Sequence, residues 1–261
     1  MIHFFLAAFL ALSTPWQQVS PGVWQRDMRM ASDGPLSPVR AIVVRLDPAR
    51  LRFTLAYAAR DYGMIGTWTV DQMPPAGVVA VNAGQFSGGA PWGWLVRDGV
   101  ESQEPGTGSL GMSFVVDRAG GVSLVTRDEL PAARSKALHA FQSYPAVLVG
   151  DGQLPWELQA PERGVDLAHR DSRLALGMMN DGSVVIVLTR FGSLGRPGET
   201  VPWGPTVPEM SAFMKSLGCR RAMLLDGGLS SQLAVRSRDS VSQWKNWRKV
   251  PLGLIASQAA P

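Results

Sequence analysis

The stretch RLALGMMNDGSVVIVLT, residues 173–189, limits the possible folds more than any other part of the chain. Two apolar runs of strand length flank Asn180-Asp181-Gly182. Those three residues tolerate the positive φ that a tight turn between paired strands requires, so the stretch reads as a β-hairpin. MSFVVDRAGGVSLVT, residues 112–126, repeats the design around residues 117–121. VRAIVVRLDP and LRFTLAYAA have strand composition and are separated by the turn DPAR at residues 47–50, which reads as a further hairpin. GVVAVNAGQF (residues 77–86) is a strand running into the glycine-rich SGGAPWGW, and YPAVLVGDGQL is a short strand ending in a Gly-Asp-Gly turn. The 28 glycines and 19 prolines among 261 residues suit a chain of many turns and hence many strands.

One helix stands out, TVPEMSAFMKSLG at residues 206–218. Thr206 and Glu209 have the spacing of a capping box. Met210, Phe213, Met214 and Leu217 recur at i, i+3, i+4 and i+7 and form one apolar face for core packing. Gly218 is placed to stop the helix, and RRAMLLD returns as a buried strand. Hairpins together with this helix-to-strand return predict an α+β fold: a mixed β-sheet core with a few packed helices, as one domain over residues 15–261.

Bulk properties exclude several classes. With 46% hydrophobic and 18% charged residues the chain is not disordered. Its 25 basic and 21 acidic residues are scattered, with no basic stripe interleaved with aromatics, so nucleic acid is not an expected partner. The single cysteine, Cys219, forms no intrachain disulfide and reads as a buried packing thiol; nothing around His3, His139 or His169 marks a partner for it. Residues 4–12 are apolar, too short to span a bilayer, and resemble the hydrophobic part of a secretory signal, with small residues near Ser13 for cleavage. The preceding residues lack Lys and Arg, and an N-terminal strand is the other reading. Residues 1–14 are therefore taken as signal-like, with a secreted or periplasmic product and no stable transmembrane anchor.

Chemistry is concentrated in LLDGGLSS. Asp226 is the first polar side chain after an apolar strand. Gly227 and Gly228 let a ligand approach the backbone, successive N–H groups there can form an anion-binding nest, and Ser230 and Ser231 add hydroxyl donors. The plainer reading of the same residues is a glycine-rich turn capped by Asp226. Asn82 ends a strand shortly before Gly84 and Phe86, and its amide suits sugar hydroxyls or a turn. Arg173 opens an apolar strand and has the planar fork that grips phosphate, with Arg170 as its rival and a surface arginine as the plainer reading. No GxSxG, HExxH, Walker or CxxC motif is present. GTGSLG (residues 106–111) does not open a helix after a strand, so a dinucleotide site is not expected. No cofactor or metal is called for, although a divalent cation near Asp226 is left open.

Taken in order, these segments resemble the phosphodiester glycosidase family. VNAGQF is similar to its Asn-Gly-Gly-x-Phe region, SRLALGMMNDGSVVIVL to its Arg-Thr-Ala-x-Gly strand and hairpin, and the helix with LLDGGLSS to its Leu-Asp-Gly-Gly-Gly-Ser. YPAVLVGDG and WRKVPLGLIA, the latter with Arg248 before a proline, complete the series. Ala83, Leu174 and Leu229 depart from the pattern, and Leu229 implies a stiffer loop.

The resemblance implies hydrolysis of a sugar-1-phosphodiester of the N-acetylglucosamine type, in exported glycan or cell-envelope material. Asp226 would be the acid–base or nucleophilic residue and Arg173 the phosphate ligand. Asn82, Gly84, Phe86, Gly227, Gly228, Ser230 and Ser231 would surround the sugar. A second carboxylate, usual in glycosidases, is not evident, because Asp98, Asp151 and Asp181 beside their glycines read as turn formers. The alternative is a glycan-binding domain that keeps the fold and has lost turnover.

Overall fold

The structure is a computed structural model that describes residues 14–34, 39–63, 67–159, 164–191, 201 and 203–259. The signal-like segment therefore lies outside the described residues except for Thr14.

Three sheets make the body. The first runs Gln17–Ser20, Val23–Met30, Val39–Leu46, Val184–Arg190, Leu174–Met179, Cys219–Leu224 and Ala146–Leu148 in spatial order. The second runs Val122–Thr126, Met112–Asp117, Ala137–Ser143, Leu95–Arg97 and Val100–Gln103. The third runs Val241–Trp244, Leu233–Arg236, Gly77–Asn82, Leu252–Gln258 and Leu51–Tyr57. The short pair Phe86–Ser87 and Ala90–Pro91 stands apart. Among the described residues the α-helices are three: Ala58–Asp61, Leu130–Arg134 and Val207–Ser216. The fold is thus predominantly β.

The two hairpins at residues 112–126 and 173–190 form as expected, with Phe114 opposite Leu124 and Leu176 opposite Ile186. The helix forms as well. Thr206 Oγ1 accepts from the Glu209 N–H and the Glu209 carboxylate accepts from the Thr206 N–H, at 3.3 and 2.9 Å. Its apolar face is buried against Val43, Val185, Val187 and Ala222 of the first sheet.

Two expectations are corrected. The strands on either side of residues 47–50 do not pair. Val39–Leu46 lies between Val23–Met30 and Val184–Arg190, whereas Leu51–Tyr57 joins Leu252–Gln258 in the third sheet. The reason is burial. Val39, Ala41 and Val43 face the helix side while Ile42, Val44 and Leu46 face the core between sheets, so the strand needs neighbours that cover both faces. Its turn becomes a corner that carries the chain to another sheet, and Leu51, Phe53 and Leu55 stay in the same core. The mixed sheet is also not found: neighbouring strands pair antiparallel throughout the described residues. The helix does return the chain in the direction of Val184–Arg190, but Leu174–Met179 lies between that strand and Cys219–Leu224 and pairs antiparallel with both.

The main core draws on all three sheets. Phe53 of the third sheet meets Phe114 of the second edge-on at 5.8 Å, and Phe114 stacks on Phe141 at 5.5 Å. On the outer face of the third sheet, fully buried Trp68 covers Gly253 so closely that a Cβ there would lie 2.3 Å from Cζ2 of the ring. Overpacking a filled core costs about 1–3 kcal/mol, and a rigid indole cannot yield. Gly253→Ala should therefore lower stability by at least about 2 kcal/mol in a denaturant titration, and adding Trp68→Leu should recover part of the loss. An unchanged midpoint for Gly253→Ala would refute this packing.

Candidate active site

The Asp226 loop lies where the three sheets end together. Leu224 closes the Cys219–Leu224 strand. The Leu225 N–H donates to Leu174 O at 2.8 Å, Ser143 Oγ donates to Leu224 O at 2.6 Å, and the Asp226 N–H donates to Gly84 O at 3.3 Å. These bonds tie the loop to the first sheet, to the second, and to the turn that follows Gly77–Asn82 of the third. Asn82 adds a splint. Its Nδ2 donates to Asp226 O and its Oδ1 accepts from the Gln232 N–H, both at 2.8 Å, so one buried amide holds both ends of the loop.

The glycines answer to backbone crowding. A Cβ on Gly227 would lie 2.6 Å from Ser172 O. Gly228 has φ +55°, donates its N–H to Ser172 O at 2.8 Å, and leaves room where a Cβ would meet Asp171 Oδ2 at 2.6 Å. Ser231 is fully buried; its Oγ donates to Gly228 O at 2.8 Å and accepts from Arg190 Nη1 at 2.7 Å.

The opposite wall is the segment HRDSR, residues 169–173, whose side chains alternate between the cleft and the protein behind it. His169, Asp171 and Arg173 line a cleft of about 210 Å³ with Asp226, Gly227, Gln85, Tyr144 and Asp166. The intervening residues point elsewhere. Arg170 pairs with Glu209 at 2.8 Å, and the Ser172 hydroxyl donates to Gly228 O at 3.3 Å. The two arginines differ in position: Arg170 anchors the segment through Glu209 and Arg173 faces the cleft.

Burial raises Asp226 from 3.8 to about 6, against a hydrogen bond from the Ser230 side chain and the charge of Arg248, with Asp171 adding to the rise. Burial also raises Asp171, while Arg173 and His169 oppose it. Arg173 is lowered by burial and held up by Asp171, Asp166 and Tyr144. Its Nε donates to Pro205 O at 3.1 Å and its Nη2 to His169 O at 2.5 Å, so the guanidinium is fixed while its charge borders the cleft. A neutralisable acid thus shares a small cleft with a fixed cation.

The structure brings Asp226, Arg173 and Gly227 together at the cleft. Asn82, Gly84 and Ser231 are engaged in holding the loop rather than open to a ligand. Phe86 lies under the Arg248 guanidinium at 6.0 Å. Leu174 is fully buried in the core, where leucine contributes roughly 2 kcal/mol and a threonine hydroxyl would need a partner. Leu229 is 44% exposed on a turn of 3₁₀ helix, so the loop needs no third glycine there. Cys219 is buried and its thiol is pushed up to about 12, as a packing residue.

Sequence reading missed His169, Asp171, Asp166, Tyr144 and Gln85. The alternation in HRDSR was the available signal, once Arg173 was placed. Among the described residues no three His, Cys, Asp or Glu side chains are grouped to hold a metal ion.

The sequence model of the phosphodiester glycosidase family matches residues 76–256. Among solved structures, the catalytic domain of zebrafish N-acetylglucosamine-1-phosphodiester alpha-N-acetylglucosaminidase, auto-inhibited by its pro-peptide, has a TM-score of 0.65 at 14% identity, over 95% of this chain and 88% of that one. A candidate exported protein from Burkholderia pseudomallei has a TM-score of 0.61 at 15% identity, over 87% of this chain and 76% of that one. A hypothetical protein from Synechocystis has 0.58 at 14% identity, over 94% of this chain and 64% of that one. These identities make the likeness one of fold. No curated protein gives a match.

The raised carboxyl carries a stability consequence. Below about pH 3.8 Asp226 is neutral folded and unfolded; between 3.8 and about 6 only the unfolded chain ionises freely, so stability is lost as pH rises through that window. Asp226→Asn should therefore be more stable than the parent at pH 8, by up to about 3 kcal/mol, and should have no advantage at pH 3.5. Urea titrations at both pH values check this, and equal stability at pH 8 would contradict the buried-acid assignment.

Proposed function

The chain belongs to the phosphodiester glycosidase family, and from that premise we propose that it hydrolyses a sugar-1-phosphodiester. The sugar, of the N-acetylglucosamine type, is released from a phosphate that stays on the other alcohol. The observation that carries the reading is the Asp226 carboxyl, tuned to about 6 by burial, in one small cleft with the fixed guanidinium of Arg173.

The chemistry follows from charge. A phosphodiester carries one negative charge at any working pH, and the bond from its bridging oxygen to the anomeric carbon breaks with the electron pair going to oxygen. A cation beside the phosphate stabilises that build-up, and Arg173 stands for it. Water must replace the phosphate, and a base near its own pKa removes a proton from it most effectively. Asp226 fills that role once ionised, with Arg248 supporting the ionised form. Gly227 lines the cleft beside it.

The zebrafish relative is named for an N-acetylglucosamine-1-phosphodiester, which supports the sugar assigned here. An N-terminus like a secretory signal fits exported glycan or cell-envelope material as substrate, met in the periplasm or outside the cell. The binding-only alternative rests on Leu174 and Leu229, and neither side chain belongs to the cleft lining.

Purified protein should release free sugar and phosphomonoester from a panel of sugar-1-phosphodiesters. Arg173→Ala should lower kcat/KM about 10²-fold and Asp226→Asn about 10³-fold. Since the base must be ionised, kcat/KM should fall as pH drops through about 6, and Asp226→Asn should lose that limb. Full turnover by either variant would sink the assignment, and sugar affinity without product would favour the binding domain.

A further inference from the structure

The wall opposite Asp226 carries an ionisable pair that the hydrolytic reading has not used. His169 Nε2 lies 3.7 Å from Asp171 Oδ2. The histidine backbone is held on both sides: its N–H donates to Asp166 Oδ1 at 3.0 Å, and its carbonyl accepts from Arg173 Nη2 at 2.5 Å. Its side chain, 58% exposed, borders the cleft. The carboxylate beside it is fixed in turn. Asp171 Oδ1 accepts from the Ser172 N–H at 2.7 Å, and Oδ2 fills the space left beside Gly228. At 3.7 Å His169 and Asp171 are at ion-pair distance rather than hydrogen-bonded, and an imidazole beside an immobilised carboxylate at a cleft is the setting in which a histidine transfers protons. Here it stands next to the arginine assigned to phosphate.

We propose that His169 is a second catalytic group, placed beside Asp171, that gives a proton to the bridging oxygen as the sugar–phosphate bond breaks. The inference rests on the phosphodiester hydrolysis proposed above. The step balances. Water forms the new bond to the anomeric carbon and passes one proton to the Asp226 carboxylate. The old carbon–oxygen bond breaks with its electron pair on the bridging oxygen, which takes the imidazolium proton. Sugar and phosphomonoester leave, with Asp226 protonated and His169 neutral, and solvent restores both. Asp226 in its working, ionised form has no proton to give, so the acid must be another group. Besides His169, the charged and titratable groups at the cleft are Asp166, Asp171, Arg173, Tyr144 and Asp226, with Arg248 acting on Asp226; the arginines keep their protons at working pH, and Tyr144 packs its ring edge-on against Trp92. Asp171 touches no reacting atom and is a positioning residue.

The test uses the full chain and two substrates of the same sugar: an alkyl sugar-1-phosphodiester, and a dinitrophenyl glycoside whose leaving group needs no proton. His169→Ala should lower kcat about 10²-fold on the diester, change it by less than about threefold on the dinitrophenyl glycoside, and flatten the alkaline limb of the diester pH profile. Asp171→Asn should lower kcat on the diester with KM nearly unchanged, and Asp171→Glu should restore part of it. The proposal is overturned if His169→Ala keeps diester turnover, or if it loses both substrates equally with the alkaline limb intact. A parent protein that releases nothing from any diester sinks the hydrolytic reading itself, whereas an active parent with an indifferent His169→Ala sinks only the assignment of the acid.

Discussion

The carboxylate of Glu209 holds the site's geometry together. It caps the Val207–Ser216 helix through the Thr206 N–H, takes both terminal nitrogens of Arg170, and accepts from the Ser32 hydroxyl and the Asp33 N–H. Burial alone would raise it; Arg170 and the backbone donors of Thr206 and Asp33 hold it at about 2. That depressed value makes the knot a source of stability above the ordinary glutamate range, weakening only as pH falls toward 2. Its deeper effect is one of phase. With Arg170 pinned outward, His169, Asp171 and Arg173 face the cleft together. A slip by one residue would present Arg170 and Ser172 instead.

The cleft itself is a balance of opposed charges that have been made sparing with water. Two carboxylates, Asp171 and Asp226, are each raised by burial, and the charge of Asp171 contributes to the rise at Asp226. Arg173 and Arg248 work against that tendency from different sides. Asp226 in particular changes protonation near pH 6, where an isolated aspartate would not, which is the property that acid–base chemistry draws on.

What the sequence disclosed follows the range of the interactions concerned. The hairpins at residues 112–126 and 173–190 and the capped helix are decided by neighbours in the chain, and they were legible. The separation of Val39–Leu46 from Leu51–Tyr57 was not, because each strand takes partners from the far end of the chain, at residues 184–190 and 252–258. Asp226 stood out because two glycines follow it, although the sequence suggested room for a ligand there and the structure shows crowding by Ser172 and Asp171. His169 and Asp171 were hidden in a polar stretch whose meaning depends on which arginine is pinned. Asn82 was correctly placed at a strand end, but a lone asparagine does not reveal that both halves of its amide are committed to backbone.

That commitment of Asn82, with the bonds from Gly84 and Ser143, means that no portion of the chain owns the cleft. The third sheet closes only when Leu252–Gln258 slots between Gly77–Asn82 and Leu51–Tyr57. Folding must therefore bring segments about 200 residues apart together before the Asp226 loop has its supports. Without Leu252–Gln258, the Gly77–Asn82 strand would lose one of its two neighbours, and the Asn82 amide that splints the loop would lose part of its own support.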